Sequence, residues 1–122
     1  MDPQPVLSLL HFSDRVVVVT GAGRGLGAGI AVRFAEAGAA VVVNYRASAA
    51  DADATVAPIT AGGRRPPKVQ ADVSRAPESA RLLKAAADAF GRVDVLVNNA
   101  GIYPVSSLLE MTEEAWDQVV DA

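Results

Sequence analysis

The sequence predicts an open, doubly wound α/β sheet that is cut short after about four parallel strands, and three observations carry that prediction. Residues 15–20 hold four consecutive valines and run into a glycine cluster, the pattern of a strand buried on both faces. Further valine-rich segments of strand length alternate with helix-length amphipathic segments along the chain. The composition is 51% hydrophobic but only 5% aromatic, so the core is aliphatic and built of small residues, as where helices pack on a parallel sheet. At 122 residues the chain can build one such core and no second domain.

The elements follow in order. Residues 1–13 read as a poorly ordered leader, and residues 14–122 as one partial α/β domain. The first strand is expected at 15–20 and the first helix at 25–37, where Leu26, Ile30, Val32 and Phe34 lie among helix formers and Gly38 stops the turn. A second buried strand fits 39–44, and a parallel pair joined by a helix is a βαβ unit. The helix at 48–61 is less secure, because Pro58 falls in its last turn and removes a hydrogen bond. Prolines 66 and 67 delay a short third strand to 68–71. Pro77 suits the opening turn of a helix over 77–90, with Gly91 closing it. The fourth strand is 93–97, whose Val93, Val95 and Val97 form an apolar row expected to be exposed at the sheet edge and to drive association. Thr112 opens a last helix in which Trp116, Val119 and Val120 share a face, and the ending at Ala122 reads as a cut through that helix.

Charge and residue types exclude several functions. A formal charge of −3 argues against a nucleic-acid partner, which demands a basic surface. No cysteine is present, so disulfides and thiolate catalysis are out, and the single histidine, His11, supports no metal site. No segment nears the roughly eighteen apolar residues of a membrane span, and no targeting signal is visible, so no membrane partner and a cytoplasmic place are expected.

Doubly wound sheets bind ligands beyond the carboxyl ends of their strands, which here places the chemistry in the loops after Thr20, Asn44, Ala71 and Val97. The first of these is Thr20-Gly-Ala-Gly-Arg-Gly-Leu-Gly27. Glycines at a strand-to-helix turn let the backbone approach a pyrophosphate, whose charge then rests on the helix N-terminus. Counted from Gly21 the spacing departs from G-x-G-x-x-G, since position 26 is leucine, and no Gly-Lys-Ser/Thr follows to make a P-loop.

This Thr-Gly-x-x-x-Gly-x-Gly spacing, together with Asn98-Asn-Ala-Gly101 straight after the fourth strand and Asp72-Val73 after the third, resembles the short-chain dehydrogenase/reductase family. The likeness runs from about Phe12 to the last residue, and it implies a Rossmann-like fold, a homo-oligomer at full length and a nicotinamide cofactor. It further implies that Gly21, Gly25 and Gly27 form the pyrophosphate turn, that Leu26 packs beside the cofactor, that Asp72 and Val73 hold the adenine, and that Asn98, Ala100 and Gly101 line the adenosine ribose. By the same resemblance the first of the paired asparagines, Asn98, braces the sheet. Read from the residues alone, Asp72 could equally end a strand by bonding the next turn's amides, and the asparagine pair could be turn chemistry.

Cofactor choice follows from charge. Where an NAD enzyme sets an acid at the end of the second strand, this chain has Asn44-Tyr45-Arg46 and no acid before Asp51. Arg46 and Arg24 suit a 2′-phosphate, so NADP(H) is expected over NAD(H), with Asn44 counted among the cofactor residues. The Tyr-x-x-x-Lys pair that the family uses for proton transfer is absent, since Tyr45 is followed four places on by Ala49 and Tyr103 by Ser107. The chain therefore reads as the N-terminal part of an NADP(H)-dependent oxidoreductase of 3-oxoacyl-reductase type. It would act on a carbonyl or alcohol, with no catalytic residue of its own and no activity alone. An inactive NADP(H)-binding module, or a split protein completed by a partner chain, is the alternative.

Overall fold

A computed structural model describes residues 5–122. Four strands, β1 (Val16–Val19), β2 (Ala40–Tyr45), β3 (Lys68–Gln70) and β4 (Val95–Val97), make one sheet in the order β3-β2-β1-β4. All pairings are parallel, with Val16 opposite Ala40, Val43 opposite Lys68, and Val17 opposite Val95. Helices α1 (Gly25–Glu36), α2 (Ala49–Ala61) and α3 (Ala76–Phe90) connect them, and α4 (Glu113–Val120) follows β4.

Strand alternation sends the valines to two cores. Val17, Val19, Val41 and Val43 pack with Ala31 of α1 and Ala52, Val56 and Ile59 of α2. Val18 and Val42 face the other way, onto Leu82 and Ala86 of α3. Both faces of β1 and β2 are covered, which is why these strands read as continuous apolar runs rather than alternating ones. The 51% of hydrophobic residues thus buy two thin aliphatic layers, edged by Tyr45 on one side and Phe90 on the other, and the one ring–ring pair among the described residues is Phe12 edge-on to Phe34 at 5.2 Å.

Packing onto the domain starts at that Phe12, whose amide also bonds the Ala37 carbonyl, two residues before the expected boundary. Within the expected leader, residues 1–4 lie outside the described residues, and Val6–Leu10 is a short 3-10 helix with no buried side chain. The doubtful helix forms in full: α2 carries Pro58 internally, its start capped by the Ser48 hydroxyl accepting from the Asp51 amide at 3.2 Å. Burial of Thr55, Val56 and Ile59 outweighs the bond that the proline removes.

The expected apolar row on the fourth strand needs correction. Val93, just before β4, is exposed as expected, but Val95 and Val97 pack on the α1 side, beside the larger core, and Leu96, in register with Val18, is the strand residue left 44% exposed. With period-two alternation only one parity can face the uncovered side, and it is that of Leu96. Trp116, Val119 and Val120 of α4 are likewise exposed, and that helix meets no strand or other helix among the described residues. No described helix is long and apolar enough to cross a membrane.

Candidate functional site

The strand order reverses direction at β1: β2 and β3 lie to one side of it and β4 to the other. The crevice beyond the carboxyl ends of β1 and β4 is the place where such sheets take a ligand. Two loops meet there, residues 20–27 after β1 and 98–101 after β4. A Cβ on Gly21 would stand 2.9 Å from the Ala100 Cα, so only glycine lets the loops touch, and its φ of +60° favours glycine as well.

Buried polar groups hold the glycine loop from behind. The Thr20 hydroxyl donates to the Val97 carbonyl at 3.2 Å and accepts from the amides of Asn99 and Ala100, both at 3.0 Å. The Asn99 carboxamide donates to the carbonyls of Thr20 and Gly21 at 3.0 and 3.2 Å. From α2 the Thr55 hydroxyl donates to the Ala22 carbonyl at 2.9 Å. No buried side-chain nitrogen or oxygen lacks a partner among the described residues. The loop is therefore fixed before any ligand arrives.

Its front is open. Arg24 occupies the N-cap of α1 without a side-chain capping bond, so the first amides of the helix have no partner inside the helix and face the crevice end of the sheet. A Cβ added to Gly25, whose φ is +59°, would meet nothing within 4 Å. Free amides, a helix N-terminus and open space together suit an anionic diphosphate and fit a dinucleotide.

Around this turn the other expected residues divide. Leu26 is 76% exposed and Arg24 and Arg46 are exposed, all available to a ligand. Val73, Asn98, Ala100 and Thr20 line one hollow of about 330 Å³ with Leu82 and Leu96, on the α3 side of the crevice. Gly101 follows, exposed. Asp72 is half-buried, and its Oδ1 accepts from the Ser74 hydroxyl at 2.6 Å and the Ser74 amide at 3.0 Å. Those Ser74 bonds, with Arg46 and Arg75 nearby, hold the Asp72 carboxyl below its ordinary value and keep it charged. Asp72 thus closes a turn, the simpler of its two readings. Asn44 stands apart: it is 1% exposed, and its carboxamide is taken up wholly by backbone behind the loop.

The asparagine pair also sorts differently from expectation. Asn99, not Asn98, braces the sheet, because residue 99 shares the α1-side parity of Val95 and Val97 while Asn98 shares the exposed parity of Leu96. Asn99 and Thr20 stand within the two sequence motifs without a cofactor role of their own, and Thr55 stands in neither. The parity of the fourth strand was a signal for the first, and nothing local marks Thr55, which reaches the loop from α2.

A model of the short chain dehydrogenase family matches residues 15–122. The chain belongs to that family. An uncharacterized oxidoreductase of Methylorubrum extorquens is 52% identical over 107 residues, and a 3-oxoacyl-[acyl-carrier-protein] reductase of Synechocystis is 49% identical over the same length. Each alignment covers 88% of this chain and 43% of the relative. Among solved structures, a short chain dehydrogenase from Burkholderia cenocepacia in complex with NADP superposes with a TM-score of 0.86 at 40% identity, over 91% of this chain and 45% of that one. One from Mycobacterium marinum reaches 0.91 at 30% identity, over 97% and 47%. The chain thus spans under half the length of the short-chain dehydrogenases it matches, and the expected four-strand, Rossmann-like fold is theirs.

Proposed function

We propose that this chain is the cofactor-binding part of an NADP(H)-dependent oxidoreductase that moves hydride between nicotinamide and a carbonyl or alcohol, of the 3-oxoacyl-reductase type. The observation that carries the reading is the uncapped start of α1 behind a glycine turn with Arg24 at its N-cap and no acid at the end of β2. In this reading Gly21, Gly25 and Gly27 shape the diphosphate turn and Leu26 lies beside the cofactor. Asp72 and Val73 flank the adenine, and Asn98, Ala100 and Gly101 the ribose. Arg24 and Arg46 hold the 2′-phosphate, which a guanidinium fits in geometry and charge. When bound, the nicotinamide supplies the hydride. The chain itself binds and orients, for no Tyr-x-x-x-Lys occurs in its 122 residues. Its similarity to a 3-oxoacyl-[acyl-carrier-protein] reductase supports the substrate class, and the NADP complex of a relative supports the cofactor. A homo-oligomer in the cytoplasm, without nucleic-acid or membrane partners, completes the proposal.

The deciding experiment titrates the chain with NADPH and NADH, following the fluorescence of the bound nicotinamide. NADPH should bind at least about tenfold more tightly, one charge-assisted pair being worth roughly that factor. The Arg46→Asp variant should lose that margin; if it keeps its preference for NADPH, the assignment fails.

A further inference from the structure

We infer that Asn44 is a positioning residue that ties the diphosphate turn to the adenine wall, and not a group that touches the cofactor; the inference rests on the reading above. Its carboxamide spans two segments that are far apart in sequence. The Oδ1 accepts from the Gly21 amide at 3.1 Å, while Nδ2 donates to the carbonyls of Val69 at 3.1 Å and Ala71 at 3.2 Å. The main-chain carbonyl of Asn44 also accepts from the Ala22 amide at 2.7 Å. One residue at the end of β2 therefore fixes two successive amides of the glycine turn and the two carbonyls that lead into Asp72-Val73.

The chemistry demands an amide. The side facing Gly21 meets an N–H and needs an acceptor; the side facing β3 meets carbonyls and needs a donor. A carboxylate would set an oxygen against both carbonyls, and an apolar side chain would leave buried groups on both segments unpaired. In register, Asn44 pairs with Val69, so the link crosses directly from β2 to the exit of β3. Burial of the side chain at 1% exposure keeps water from replacing either contact.

The test compares the full chain with its Asn44→Asp variant, which keeps size and the acceptor toward Gly21 but removes the donor toward Val69 and Ala71. NADPH titration is read beside amide hydrogen exchange. The expected result is an NADPH dissociation constant raised about tenfold or more, with exchange faster at residues 69–73 and also at 20–23, where no contact was altered. Binding within about twofold of the parent, or exchange quickened at 69–73 alone, overturns the inference. Should Asn44→Asp not fold, Asn44→Ser, which is too short to reach both segments, is judged by the same two readings. Failure of the parent chain to bind NADPH would overturn the proposed function instead, and the exchange coupling, measured without ligand, would still decide whether Asn44 joins the two segments.

Discussion

Gly27 and Asn99 are so closely apposed that a Cβ on Gly27 would lie 2.5 Å from the Asn99 Nδ2 and 2.3 Å from the Gly21 carbonyl oxygen. The first turn of α1 is thereby pressed against the carboxamide that bridges the two loops of the crevice. Gly27→Ala must push Asn99 off the Thr20 and Gly21 carbonyls or lift the helix from the sheet. The expected cost is that of overpacking a closed site, about 1–3 kcal/mol, accompanied by weaker NADPH binding. Gly29→Ala, two residues on, meets nothing within 4 Å and should instead gain about 0.5–1 kcal/mol from helix propensity alone. Thermal unfolding of both variants checks the contrast, and equal midpoints would show that the Asn99 contact constrains nothing.

Most of this arrangement was legible in the sequence because the signals were local. Buried valine runs, a glycine turn before an amphipathic helix and the prolines before β3 each fix an element, and the observed bounds differ from the expected ones by one or two residues. What escaped was set by side-chain parity and by long-range bonds. The valines of β4 read as an exposed row until pairing with β1 showed which parity the core takes. Asn44 sits where a cofactor residue is expected, and only its surroundings reveal that it faces inward. Thr55 reaches the glycine turn across 33 positions of sequence, a separation that no local pattern encodes.

A second bridge lies at the opposite end of the sheet and should govern its response to acid. The Asp94 carboxylate, 12% exposed, accepts from the Val16 amide at 2.8 Å and from Arg92, with Arg15 3.7 Å away. The Val16 bond first, and then the Arg92 bond and the two positive charges, hold its pKa below the ordinary 3.8. A carboxyl with a depressed folded pKa stabilises the native state above its unfolded value and loses that contribution as pH falls through the folded one. Stability should therefore decline from about pH 4 downward, where the unfolded chain begins to take up protons. Asp94→Asn should lower the thermal midpoint at neutral pH and flatten that acid decline. Asp72, shifted in the same direction, leaves a smaller residual slope in the variant. Parallel pH curves for parent and variant would show that Asp94 is not a source of the dependence.

Leu96 gives the last prediction, which concerns association. It lies on β4 at the end of the sheet, 44% exposed, with Leu83 of α3 beside it around one hollow and the apolar side chains of α4 also exposed. An edge strand offers unpaired backbone groups, and an apolar side chain on it adds a surface that water disfavours. The 122-residue chain should accordingly associate as its concentration rises, and Leu96→Lys should reduce that association by placing a charge on the edge. Val95→Thr is the control: its side chain packs on the α1 side, so the change should lower stability without relieving association. Sedimentation velocity at several concentrations distinguishes the two variants. A parent that stays monomeric throughout, or a Leu96→Lys chain that associates as strongly as the parent, would place the adhesive surface elsewhere.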